Sequence, residues 1–182
     1  MTGAPSPGRS ADAERVRSLV RDVPDFPRAG ITFKDITPLL GDPAGLRAAV
    51  DALAASAPAG VDLVAGVEAR GFLIGTPLAL ALGAGFVPVR KAGRLPGATV
   101  SESYALEYGE AVIEVHADAV RPGQQVLVVD DVLATGGTAR AACALLERLG
   151  ADVVGVRFLL ELAGLGGRAA LGGRDVAAVL ES

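Results

Sequence analysis

The chain has 182 residues, 51% of them hydrophobic and only 4% aromatic, which suits one globular domain with a core of Ala, Val and Leu. A net charge of −4 without a long block of one sign excludes the basic face that non-specific nucleic-acid binding requires, though a site within an acidic protein can still be locally basic. One cysteine, Cys143, excludes an internal disulfide and a cysteine-based zinc site, and no run reaches the roughly 18 apolar residues of a membrane span.

Residues 1–10 are rich in Pro, Gly and Ser, hold nothing to bury and carry no apolar leader, so they predict a disordered tail on a cytoplasmic protein. Residues 11–182 then form the single domain. Val16, Leu19, Val20 and Val23 recur at helical spacing and predict an amphipathic helix that ends before Pro24. A short extended piece, Gly30 to Phe33, follows. Asp42 and Pro43 open a second helix as N-cap and first helical residue, with Leu46, Ala49, Val50 and Leu53 as its stripe.

Val61 to Val67 reads as a buried parallel strand, and Phe72 to Leu82 as a helix buried all round that Pro77 kinks or interrupts. Phe86 to Arg90 is a second short strand. Residues 91–110 hold neither helical nor strand periodicity, and a stretch that long without an element is usually functional or mobile. A strand resumes at Ala111 to Val115. Gln125 to Asp130 is the clearest strand, and after a turn at 131–136 a helix follows, with Ala141, Ala142, Leu145 and Leu149 as its stripe. Cys143 lies within it as a small core residue. Asp152 to Leu160 and a final stretch near 175–180 complete an α/β pattern, a mainly parallel central sheet flanked by helices.

The central motif runs from Val128 to Thr138, Val-Val-Asp-Asp-Val-Leu-Ala-Thr-Gly-Gly-Thr. A buried strand ends in two carboxylates, and a loop of small residues lets backbone N–H groups approach an anion. A helix then begins, whose first N–H groups and positive dipole end favour a phosphate. No Lys follows the glycines, so the nucleoside triphosphatase loop is excluded, and no G-x-G-x-x-G follows a strand. Asp130 and Asp131 would repel a phosphate directly. Beside it they make sense as partners of ribose hydroxyls that act through a divalent cation.

This motif resembles the signature of the type I phosphoribosyltransferases, which bind 5-phosphoribosyl-1-pyrophosphate. Three further stretches, Asp25 to Pro38, Glu68 to Phe72 and Leu106 to Gly109, with Arg90 to Gly97 in order between them, narrow the resemblance to the adenine phosphoribosyltransferases. It covers residue 24 to the C-terminus. It implies that fold, with a flexible hood loop near 91–110. The implied reaction is purine salvage, in which adenine and the ribosyl donor give AMP and pyrophosphate, with Mg²⁺ on the donor and no covalent enzyme intermediate.

The resemblance also assigns residues. Asp130, Asp131, Ala134, Thr135, Gly136, Gly137 and Thr138 hold the phosphoribosyl group, with no direct protein ligand to the metal. Arg70, Lys91 and Arg94 face pyrophosphate, a group that an Arg fork can bind through two oxygens. A solvated basic loop is the other reading of Arg94. Glu107 is the candidate general acid–base, and Thr32, Phe33, Lys34 and Leu162 form the adenine pocket. Phe33 either stacks on the base or fills the core. Lys34 departs from the Arg that relatives often carry, which removes a bidentate fork but leaves a cation. A homodimer is implied, without nucleic acid or membrane. Two rivals remain at this point: the same chemistry on a 6-oxopurine, and a ligand-sensing regulator that has lost catalysis.

Overall fold

Apolar, β-branched runs alternate with helical stripes along this chain, and the computed structural model describes residues 7–105 and 110–182 of the result. The chain divides into two compact units, residues 1–52 and 53–182. In the first, helix α1 spans Pro7–Ser18, so it begins inside the stretch expected to be a tail. It also stops before Val20 and Val23, which the helical spacing had included. Arg21–Val23 is instead strand β1, paired antiparallel with β2, Phe33–Asp35. Pro24 explains the difference, because the residue before a proline is pushed out of the helical region toward the extended one. A short helix α2, Thr37–Gly41, is an element the pattern did not reveal.

Helix α3, Pro43–Ser56, opens where the sequence places it. The Asp42 carboxylate accepts the Gly45 N–H at 2.6 Å, an N-cap bond whose loss typically costs about 1 kcal/mol. Ala49, Val50 and Leu53 on its stripe are buried.

The second unit is built on strands β3 (Leu63–Val67), β4 (Gly85–Lys91), β5 (Thr99–Ala105), β6 (Glu110–His116), β7 (Gln125–Leu133), β8 (Asp152–Glu161) and β9 (Val176–Glu181). They form one sheet in the order β5-β6-β4-β3-β7-β8-β9. The run β4-β3-β7-β8-β9 is parallel, and β6 and β5 add an antiparallel hairpin at one edge. Helices α4 (Arg70–Leu82), α5 (Gly137–Arg148) and α6 (Gly167–Ala170) accompany it. The fold is the expected mainly parallel α/β sheet.

Three details differ from the pattern. Strand β5 occupies part of 91–110, where no element was legible. Strand β7 runs through both aspartates to Leu133, because Val132 and Leu133 still pair with Leu160 and Glu161 of β8. Helix α4 is not buried all round: Leu73 and Leu80 are 52% and 79% exposed, and Pro77 lies inside the helix without ending it. Its inner face combines Ile74 and Leu78 with Gly71, Gly75 and Ala79. A Cβ at Gly75 would stand 2.9 Å from the Phe86 ring, so glycine there allows helix and sheet to approach.

Val126, Leu127, Val128 and Val129 of β7 are fully buried, as are Ala142, Cys143, Leu145 and Leu146 of α5. Burial raises the Cys143 thiol to about 11, which fits an inert core residue. Arg157 is the buried cation of β8. Its guanidinium donates to the Ser56, Val156 and Asp175 carbonyls and to the Asp175 carboxylate, so its charge is satisfied within the scaffold.

Candidate active site

Because β4, β3, β7 and β8 run parallel, their carboxyl ends share one edge of the sheet, the position where ligands bind in open α/β folds. The Glu68-Ala69-Arg70 turn leaves β3 there, with a cis Glu68–Ala69 peptide bond. Arg90 and Lys91 end β4, residues 130–138 end β7 and enter α5, and Glu161 and Leu162 end β8. The structure therefore brings Arg70, Lys91, Arg94, Asp130, Asp131, Ala134 to Thr138 and Leu162 to one edge. Thr32, Phe33 and Lys34 belong to the first unit. Glu107, with Tyr108, lies outside the described residues.

Asp130 keeps part of its surface open, while Asp131 is 4% exposed. Asp130 Oδ1 accepts the Asp131 N–H at 2.9 Å. Protein packed around the Asp130 carboxyl raises its pKa well above the ordinary value, and the neighbouring Asp131 charge adds to this. Burial raises Asp131 as well, and the Arg70 guanidinium offsets part of that rise. Arg70 Nε stands 2.9 Å from Asp131 Oδ2, yet that buried oxygen takes no well-directed hydrogen bond. Two crowded carboxylates with one cation between them favour a ligand that supplies hydroxyl donors or further positive charge. Arg70 thus pairs with Asp131; its neighbour Glu68 pairs elsewhere.

The turn that follows is shaped by glycine. Gly136 adopts φ 79° as the residue before α5, a conformation that glycine reaches without strain. A Cβ at Gly136 would stand 2.5 Å from the Gly167 carbonyl oxygen, and one at Gly167 would run into the Ala134 carbonyl. α6 therefore backs the turn directly. Asp130, Ala134 to Thr138 and Phe158 line a cavity of about 80 Å³. Leu162, whose N–H donates to the Leu133 carbonyl at 2.9 Å, lines an open cavity of about 560 Å³ with Glu161, Gly164, Gly166, Gly167, Arg168 and Ala169.

On the other side of β3, two carboxylates hold the basic loop. Glu68 accepts Arg90 Nε at 3.3 Å and the Lys91 N–H at 3.0 Å. Burial pushes its pKa up, but the Lys91 and Arg90 bonds outweigh this and hold it below the usual value. Glu114, 5% exposed, receives the Arg94 and Leu95 N–H groups at 2.8 and 2.9 Å on one oxygen. Those backbone bonds, Leu95's first, lower its pKa despite burial. Arg90 Nη1 also donates to the Arg94 carbonyl at 2.8 Å. Arg90 is thereby a strut of the loop, while the Lys91 and Arg94 side chains are exposed.

In the first unit, Lys34 Nζ lies 2.8 Å from Asp22, and Phe33 packs edge-on against Phe26 with ring centroids 5.2 Å apart. His116 Nε2 contacts the Pro96 carbonyl at 3.0 Å. Sequence reasoning missed Glu114, Gly167 and Tyr104 as parts of this edge. Glu114 sits in an apolar strand, where an isolated acid is unusual, and that was the available signal. Nothing in the sequence marked Gly167 or Tyr104.

The family model described as "Phosphoribosyl transferase domain" matches residues 44–165, a span that includes the β7 turn. A relative from Cutibacterium acnes named adenine phosphoribosyltransferase is 61% identical over 153 residues, covering 84% of this chain and 86% of its own. The crystal structure of adenine phosphoribosyltransferase from Thermoanaerobacter pseudethanolicus superposes with a TM-score of 0.91 at 48% identity, covering 93% of this chain and 99% of that one. The Saccharomyces cerevisiae enzyme, complexed with adenine and an imino-altritol bisphosphate, gives 0.88 at 40% identity over 94% and 99%. The chain belongs to the phosphoribosyltransferase family and, within it, to the adenine phosphoribosyltransferases.

Proposed function

We infer that this chain is a purine-salvage enzyme that converts adenine and 5-phosphoribosyl-1-pyrophosphate into AMP and pyrophosphate. The observation that carries the reading is the β7 turn, where a crowded aspartate pair adjoins a glycine-shaped helix entry at the sheet's carboxyl edge. Family membership supplies the base and the donor.

In this reading Asp130 and Asp131 hold the ribose hydroxyls, and Ala134, Thr135, Gly136, Gly137 and Thr138 hold the 5-phosphate through N–H groups and hydroxyls. Arg70, Lys91 and Arg94 balance the charge of pyrophosphate as it leaves. Mg²⁺ would arrive on the donor's phosphates, with Asp130 and Asp131 nearby and no direct protein ligand, and would spread the negative charge of the leaving group. Thr32, Phe33, Lys34 and Leu162 contact adenine. Glu107 moves the purine proton, a contribution of roughly 10²–10⁴ in rate. No covalent enzyme intermediate is formed. Residues 11–182 act as one functional domain, in a cytoplasmic homodimer. Among the described residues no helix is long and apolar enough to cross a membrane.

Pyrophosphate release should be measured with the donor, Mg²⁺ and each of adenine, hypoxanthine, guanine and xanthine, on the wild type and on Glu107→Ala. Turnover with adenine alone, lost in the variant, is the expected result. Turnover only with a 6-oxopurine would overturn the base assignment, and none with any base would leave a binding protein.

A further inference from the structure

Tyr104 touches the phosphate-binding turn, although neither its position nor its type suggested a role. The Thr138 hydroxyl donates to the Tyr104 hydroxyl across 3.1 Å. Tyr104 is half-buried, and its ring packs against the main apolar core, so the phenol oxygen is held in place. Its strand, β5, is tied to α5 a second time at the helix's far end: Arg148 Nη1 donates to Glu102 at 2.6 Å, and Nη2 to the Ser101 carbonyl. Strand β5 is thus laced along the helix whose first turn enters the cradle, and it leads directly into the segment that carries Glu107.

A threonine hydroxyl has one proton to give and two lone pairs to receive with. While Thr138 donates to Tyr104, that proton is not available to an anion. A phenol is itself a good donor, and the hydroxyl pair can reverse without any heavy atom moving. We propose that Tyr104 is a positioning residue for the 5-phosphate: when a phosphate enters the turn, Tyr104 O–H donates to Thr138 and Thr138 O–H donates to the phosphate. Each bond in such a chain polarises the next, so Thr138, once reversed, is a stronger donor to the phosphate. No proton leaves its oxygen and no bond other than hydrogen bonds changes. The inference rests on the assignment of residues 134–138 as the 5-phosphate cradle.

Calorimetric binding of ribose 5-phosphate tests it, with inorganic pyrophosphate as the control ligand. The proteins are the wild type, Tyr104→Phe, Thr138→Val and the double variant. Removing the phenol proton is expected to weaken ribose 5-phosphate roughly 3- to 10-fold, the range of a single hydrogen bond, and to leave pyrophosphate binding unchanged. In the Thr138→Val background, Tyr104→Phe should add nothing, because the relay has already lost its middle member. Effects that multiply in the double variant, equal losses for both ligands, or wild-type affinity in Tyr104→Phe would each overturn the proposal. A wild type that binds no ribose 5-phosphate would remove the cradle assignment and this inference with it. One that binds it normally but makes no AMP from adenine would overturn only the proposed reaction.

Discussion

Two pairs of carboxylates flank β3 at the same edge of the sheet, and they are held in opposite ways. Asp130 and Asp131, on the β7 side, are crowded together, and burial raises both pKa values. Glu68 and Glu114, on the β4 and β6 side, are surrounded by donors, and both are lowered. The second pair is satisfied by its own protein, closing a loop of cations through backbone N–H groups. The first pair is left short of partners, which is the usual state of groups that await a ligand. Proximity to this edge does not separate the two pairs; the number of protein donors around each does.

The largest effect expected from this contrast is on activity. Asp131→Asn should lower kcat/KM by roughly 10²-fold or more while leaving the melting temperature near that of the wild type, as read by AMP formation and thermal melting. A large loss of stability would place Asp131 with the structural pair.

Next is Glu114→Gln. It weakens a charge-assisted cap on the Arg94 and Leu95 backbone N–H groups and is expected to destabilise the fold by about 2 kcal/mol. Because the Glu114 pKa is lowered on folding, its contribution is present above its ordinary value of 4.5 and is lost as pH falls through the folded value. Urea titrations of the variant and the wild type should therefore converge in acid.

Asp130→Asn is expected to do the reverse and stabilise the ligand-free protein by about 1 kcal/mol. A raised pKa contributes stability that is full below its ordinary value of 3.8 and is lost as pH rises above it. The gain should therefore appear at neutral pH and vanish toward pH 3.8. The smallest effect belongs to Arg148→Ala. Its pair with Glu102 is half-exposed, so denaturant melts should show a loss under about 1 kcal/mol.

The β7 turn was legible because its chemistry is local: glycines, threonines and two acids in one eleven-residue run, with conformations that only small residues meet. The parallel strands β3, β7 and β8 were legible because each carries a run of buried apolar residues, Val64 to Val67, Val126 to Val129 and Phe158 to Leu160. Strand β5 was not. Its sequence, Thr-Val-Ser-Glu-Ser-Tyr-Ala, hides its apolar face, since Glu102 pairs with Arg148 and Tyr104 looks like a loop aromatic until Thr138 is seen beside it. Strand β1 was misread because three residues before a proline continued a helical spacing by coincidence. Helix α4 misled in another way, since an apolar exterior at Leu73 and Leu80 is indistinguishable in sequence from a buried one. The supports of the site, Glu114 and Gly167, act across long sequence separations that no local pattern encodes.

The contrast is tested most directly by melting wild type and Asp130→Asn with and without the ribosyl donor and Mg²⁺. Without donor, the variant should melt higher. With donor in excess the order should invert, because ligand binding stabilises the wild type in proportion to its affinity and the variant gains little. A variant that melts lower without donor, or that gains as much from it as the wild type, would contradict the account.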